Sequence, residues 1–125
     1  MEKKKFLIWG REVELEVVMN CFPGEQVTEI QKQAYDNFMA HSEMFFEESF
    51  NAIKNYCQRE YKEEVGEFDN IFKYVIPTAV YIKNSVTRRR VIGLLCNFRF
   101  DFEHGLAVRF VDEKVEEVGT QDIVL

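Results

Sequence analysis

The chain has 125 residues, 46% of them hydrophobic and 30% charged, with a formal net charge of -6. That length fits one domain, 1–125, and that balance excludes a disordered chain. The acidic sign argues against a general nucleic-acid binder, which needs clustered Lys and Arg; it suits ordinary solubility or a basic partner.

The first element in the chain is a strand at Phe6–Trp9, followed by a turn at Gly10-Arg11, where glycine supplies a positive φ. The apolar run is shorter than the ~7–15 residues of a secretory leader, and no run approaches the ~20 residues of a membrane span. Glu12 to Asn20 alternates, with Val13, Leu15, Val17 and Met19 on one side and Glu12, Glu14 and Glu16 on the other. This period of two predicts a strand with one wet and one buried face.

Phe22-Pro23-Gly24 stops that strand, and Thr28 or the residues just before it are placed to cap a helix. From Thr28 to Tyr61 there is no Pro or Gly. Ile30, Ala34 and Phe38 form one apolar stripe, and Phe46, Ser49/Phe50, Ile53 and Cys57 form another. The pattern admits one long helix or two consecutive helices, and Ser42 as a second cap favours two. Lys62–Glu67 is expected to be the loop or the frayed end that follows the helices, and Phe68–Val75 a short helix or an irregular segment.

Ile76-Pro77 forces extended backbone before a strand at Thr78–Lys83. Asn84–Thr87 is the next turn. Arg89–Phe100 follows as a strand whose even positions Ile92, Leu94, Cys96, Phe98 and Phe100 are apolar. Asp101–Gly105 breaks it, and Leu106–Val111 and Val115–Val118 are the last strands, joined by Asp112-Glu113-Lys114. The apolar end Ile123-Val124-Leu125 is expected to dock. The result is an α+β fold of order β-β-α(α)-β-β-β-β: an antiparallel sheet packed against one long or two consecutive helices. Cys21, Cys57 and Cys96 are odd in number and lack CxxC spacing, so they read as reduced, buried residues of a cytoplasmic protein.

Chemistry-bearing residues are few. Asp101, Glu103 and His104 are the densest group, capable in principle of holding a metal or moving a proton. Their spacing matches no zinc signature, and Asp and His in a turn commonly bond local backbone. No metal or cofactor is expected. Arg88-Arg89-Arg90 suits a phosphate grip or, since alternate residues face opposite ways, a solvated sheet edge. Glu43, Glu47 and Glu48 suit either a solvated helix face or a surface that docks a basic protein, and so do Glu60, Glu63, Glu64 and Glu67. The crowd Phe38, Phe45, Phe46 and Phe50 is wider than one helix face, so part of it is free for a partner unless a sheet covers two sides.

The segments Val91–Leu95, Asp101–Phe110 and Val115–Ile123 resemble a family of small bacterial proteins of unknown function. Its members share an acidic-x-Glu-His-Gly-Leu-x-Val segment followed by Val-x-x-Val-Gly and a short tail containing acidic residues. The resemblance carries no established reaction. It implies, by analogy with suspected relatives, an immunity protein that binds and silences a cognate toxin. The leading expectation is therefore a non-enzymatic protein-binding module. It would meet a basic toxin through Glu43, Glu47 and Glu48, with no nucleic acid and no membrane as partner. The alternatives are a metal-assisted enzyme built on Asp101, Glu103 and His104, and a structural or oligomerisation module.

Overall fold

The structure, a computed structural model, describes residues 2–21, 24–84 and 88–125. Six strands form one sheet in chain order: β1 (Glu2–Ile8), β2 (Arg11–Met19), β3 (Val75–Ile82), β4 (Val91–Phe98), β5 (Leu106–Val111) and β6 (Lys114–Gly119). Between β2 and β3 lie the helices α1 (Glu29–Ala40), α2 (Ser42–Glu60) and the single-turn α3 (Lys62–Val65). This is the expected α+β architecture, and the last four strands are the expected antiparallel meander. The β2–β3 pair is parallel, because the helical crossover returns the chain to the end of the sheet from which β2 began.

The opening hairpin is tighter than its sequence suggests. Ile8 pairs with Arg11, which leaves Trp9 and Gly10 as the whole turn, with φ of 50° and 84°. Two positive φ values give a turn whose twist matches the flanking strands. Tryptophan at such a position is uncommon and carries a conformational cost. On β2, Leu15 and Val17 are buried, and their glutamate neighbours lie on the other face, as the alternation requires. Lys3, Lys4 and Lys5 lie on the edge strand β1, where charge discourages pairing with another sheet.

Two helices form where one was also conceivable. Thr28 caps α1 with a reciprocal box: its hydroxyl accepts the Gln31 N–H, and the Gln31 side chain accepts the Thr28 N–H. The bend falls at His41, and Ser42 is the first residue of α2 and makes no side-chain cap. The expected core position Ile30 is only half-buried, while Gln31 is 1% exposed. Gln31 Nε2 donates to the carbonyls of Asn20 (2.8 Å) and Ile82 (3.3 Å). Satisfying those two strand-end carbonyls fixes the rotation of α1 and offsets the burial of the amide. Of the two readings of Lys62–Glu67, the one that continues the helices fits: Lys62–Val65 is a further helical turn, ended by Gly66 at φ 52°, and Ile71–Lys73 is one turn of 3₁₀ helix.

The helices close one face of the sheet. Phe6, Phe38, Phe45, Phe46 and Phe110 form a chain of edge-to-face rings with centroids 4.9–5.8 Å apart. Each fully buried ring contributes roughly 1.5–3 kcal/mol. On the opposite face the chain end docks: Val124 is fully buried, and a Cβ on Gly93 would overlap it. Arg89 and Arg90 do not form a sheet edge, since β4 is internal. Arg90 makes a two-pronged contact with Glu113 (2.7 and 2.9 Å), and Arg89 reaches Asp112 (3.3 Å). Both acids belong to the β5–β6 turn, so these arginines pin one turn to the start of the neighbouring strand. The expected turn at Asn84–Thr87 and the expected stop at Phe22-Pro23-Gly24 each lie partly outside the described residues.

Cys57 and Cys96 are buried and Cys21 is half-buried, all three as free thiols. Burial pushes the Cys57 thiol up to about 11 and raises Cys96 further, so neither is poised as a nucleophile.

Candidate functional site

Two places gather functional side chains, and both lie at one end of the sheet. Strand directions put the Trp9–Gly10 tip, the start of β3, the β4–β5 turn and the chain end together there.

The first is the Asp101–Gly105 turn. Asp101 Oδ1 accepts the His104 backbone N–H at 3.1 Å and lies 3.1 Å from His104 Nδ1. The Asp101 carbonyl accepts the Gly105 N–H at 2.9 Å, and the His104 carbonyl accepts the Gln121 N–H at 3.0 Å. Gln121 Nε2 donates to the Cys96 carbonyl at 2.9 Å. Gly105 has φ 65°, and a Cβ there would stand 2.8 Å from the Cys96 oxygen. The Asp101 carboxyl is held below the usual carboxylate range, chiefly by the His104 N–H and also by the His104 ring. Asp101 in turn raises the His104 imidazole above its ordinary value. Asp101 is therefore occupied in closing the turn, while the His104 carbonyl and the Gln121 side chain hold the chain end. Glu103 is exposed, and Phe102 protrudes at 82% exposure. Among the described residues no three His, Cys, Asp or Glu side chains gather as a metal site.

The second place is a groove of about 400 Å³ between α2 and the opening hairpin. Its lining includes Leu7, Trp9, Glu43, Glu47, Phe50 and Asn51. Trp9 Nε1 donates to the Phe46 carbonyl (3.0 Å) and to Ser49 Oγ (3.2 Å), and Ser49 Oγ donates to the same carbonyl (2.7 Å). Those bonds, together with the Phe72 ring 5.6 Å away, hold Trp9 in its left-handed conformation. Leu7 stands on the rim at 67% exposure.

Glu43 and Glu47 are exposed and one helical turn apart on the groove side of α2. Among the described residues neither pairs with a cation. A like-charge i,i+4 pair costs a helix about 0.2–0.5 kcal/mol. Glu48, one residue on, faces a different depression with Asn55, Lys114 and Val115, and its Oε2 is buried without a hydrogen-bond partner among the described residues. The expected acidic trio is thus split into a pair at the groove and a third member beside β6. The aromatic crowd divides as well: Phe38, Phe45 and Phe46 are core, and Phe50 is half-buried at the groove. Glu60, Glu63, Glu64 and Glu67 are exposed, as a solvated face requires.

Sequence reasoning missed Leu7, Trp9 and Asn51 as neighbours of the acidic pair. One signal was present: the only tryptophan of the chain precedes the glycine of a hairpin turn, a place where a large ring needs an external reason to be tolerated.

A family model described as a domain of unknown function (DUF6985) matches residues 2–125. No curated protein and no solved structure matches the chain.

Proposed function

From the premise that the chain belongs to the DUF6985 family, we propose that it is a non-enzymatic protein-binding module that docks a basic partner in the groove between α2 and the opening hairpin. The observation that carries this reading is the groove itself: two carboxylates, Glu43 and Glu47, without a cation partner among the described residues, beside exposed Leu7 and the half-buried rings of Trp9 and Phe50. An apolar centre rimmed by charge is the anatomy of a protein interface, with aromatic anchors supplying affinity. The acidic rim, on a chain of formal charge -6, would steer a basic partner and speed its association.

The finer form of the proposal makes the partner a toxin and this chain its immunity protein. What supports it is the likeness of the C-terminal third to a family suspected of that role. An intracellular setting belongs to the same reading, supported by three free thiols; among the described residues no helix is long and apolar enough to cross a membrane.

The test is affinity capture from an extract of the source cells, with the native chain and with a Glu43→Lys/Glu47→Lys variant side by side. The expected result is a basic protein retained by the first and lost by the second. Identical captures would remove the reading. If the captured protein arrests growth when expressed alone, co-expression of this chain should relieve the arrest; failure to do so would remove the immunity form.

A further inference from the structure

We infer that the groove receives an arginine side chain, carried by the partner on an apolar loop. The inference rests on the binding-module reading above and names what that module recognises.

Three features of the groove converge on a guanidinium. Glu43 and Glu47 lie one helical turn apart, so they offer two carboxylates to a single cation. A guanidinium presents a planar fork of donors that can bridge two carboxylates, whereas a lysine ammonium is a compact and strongly hydrated point charge. The groove also offers two half-buried aromatic residues, Trp9 and Phe50, and guanidinium planes stack on such rings. Exposed Leu7 gives the aliphatic stem and its apolar neighbours a surface to cover. The volume, about 400 Å³, falls in the range of ligand-sized clefts.

The chain already uses this chemistry beside the groove, between the hairpin and the 3₁₀ turn. The Arg11 guanidinium carbon lies 4.4 Å from the centroid of the Phe72 ring, and Phe72 in turn packs against Trp9. A second arginine, arriving from outside, would find two carboxylates at the groove, Glu43 and Glu47. Glu43 also lies in the first turn of α2, where its charge favours the helix dipole. That accounts for an acid at position 43, but not for a second acid beside it at 47.

Trp9 is the only tryptophan, so its fluorescence reports on the groove directly. The experiment titrates the full chain with three acetylated hexapeptides that differ at one position between leucines: arginine, lysine or citrulline. The arginine peptide should shift Trp9 emission saturably. The citrulline twin, uncharged but of the same shape, should bind about tenfold more weakly or worse. The lysine peptide should fall between them. A Glu43→Gln/Glu47→Gln variant should lose the arginine preference, while Glu63→Gln/Glu64→Gln on α3 should keep it. Circular dichroism shows that each variant is folded, and the peptide comparison on the native chain stands without any variant.

Equal binding of arginine and citrulline peptides, or lysine matching arginine, overturns the inference. So does light scattering that shows a dimer dependent on Glu43 and Glu47, since a second copy then fills the groove. Capture of a basic protein that depends on the two glutamates, with an arginine peptide that leaves Trp9 unmoved, overturns this inference and leaves the binding module standing. Loss of both results overturns both.

Discussion

The Asp101–Gly105 turn and the Trp9 groove sit at the same end of the sheet, yet they use their polar groups in opposite ways. In the turn, the Asp101 carboxylate, the His104 carbonyl and the Gln121 amide are all bonded within the chain. In the groove, the Trp9 indole N–H is bonded within the chain, but among the described residues the two carboxylates on the rim are not. The turn holds more of the residue types associated with chemistry, and the groove holds more unspent interaction. A polar group committed to the fold has little left for a ligand, because its desolvation is already compensated.

The largest expected effect tests the structural side of this contrast. Gly105→Ala should cost about 3 kcal/mol, adding left-handed strain to a clash with the Cys96 carbonyl. Urea unfolding measures it, and a loss under 1 kcal/mol would mean that the turn is not the clamp described. Next, Trp9→Phe keeps a ring in the groove and deletes the N–H that reaches Phe46 and Ser49. A loss of about 1–2 kcal/mol is expected, and no loss would show that those bonds do not hold the hairpin tip.

A smaller effect should follow pH. His104 is raised by Asp101, so its contribution is complete below the ordinary histidine range and fades as pH rises through its raised value. Asp101 is lowered, so its contribution is present above the ordinary carboxylate range and fades as pH falls through its depressed value. The melting-temperature advantage of the native chain over His104→Gln should therefore be widest in mildly acidic buffer and shrink toward alkaline pH. A pH-independent difference would contradict the pairing. His104 is exposed and Asp101 is half-buried, so solvent screening keeps the effect small.

The smallest expected effect is also the sharpest. Glu43→Gln/Glu47→Gln should change stability by no more than about 0.5 kcal/mol, because relief of like-charge repulsion is offset by loss of the Glu43 charge from the first turn of α2. Thermal melts at low and high salt would show it. A loss above 1 kcal/mol would mean that these carboxylates serve the fold, and the contrast between the two regions would collapse.

Much of this molecule was legible in its residues. The alternation on β2, the even-numbered apolar face of β4, the Thr28 cap and the two apolar helical stripes mark their elements, because period and capping are local properties. Glu43, Glu47 and Phe50 could be flagged as surface candidates for the same reason. The rest depends on groups that meet only across the fold. Gln31 is core because folding brings the Asn20 and Ile82 carbonyls to its amide, the second from fifty-one residues away. Arg90 is a staple because Glu113 arrives beside it. Trp9 belongs to a groove because α2 supplies the carbonyl and hydroxyl that hold its indole. Sequence by itself determined where the chain extends, coils and turns, since those choices are made between near neighbours. Tertiary structure alone decided which polar groups were satisfied and which remained for a partner, since satisfaction depends on atoms that only folding brings within about 3 Å.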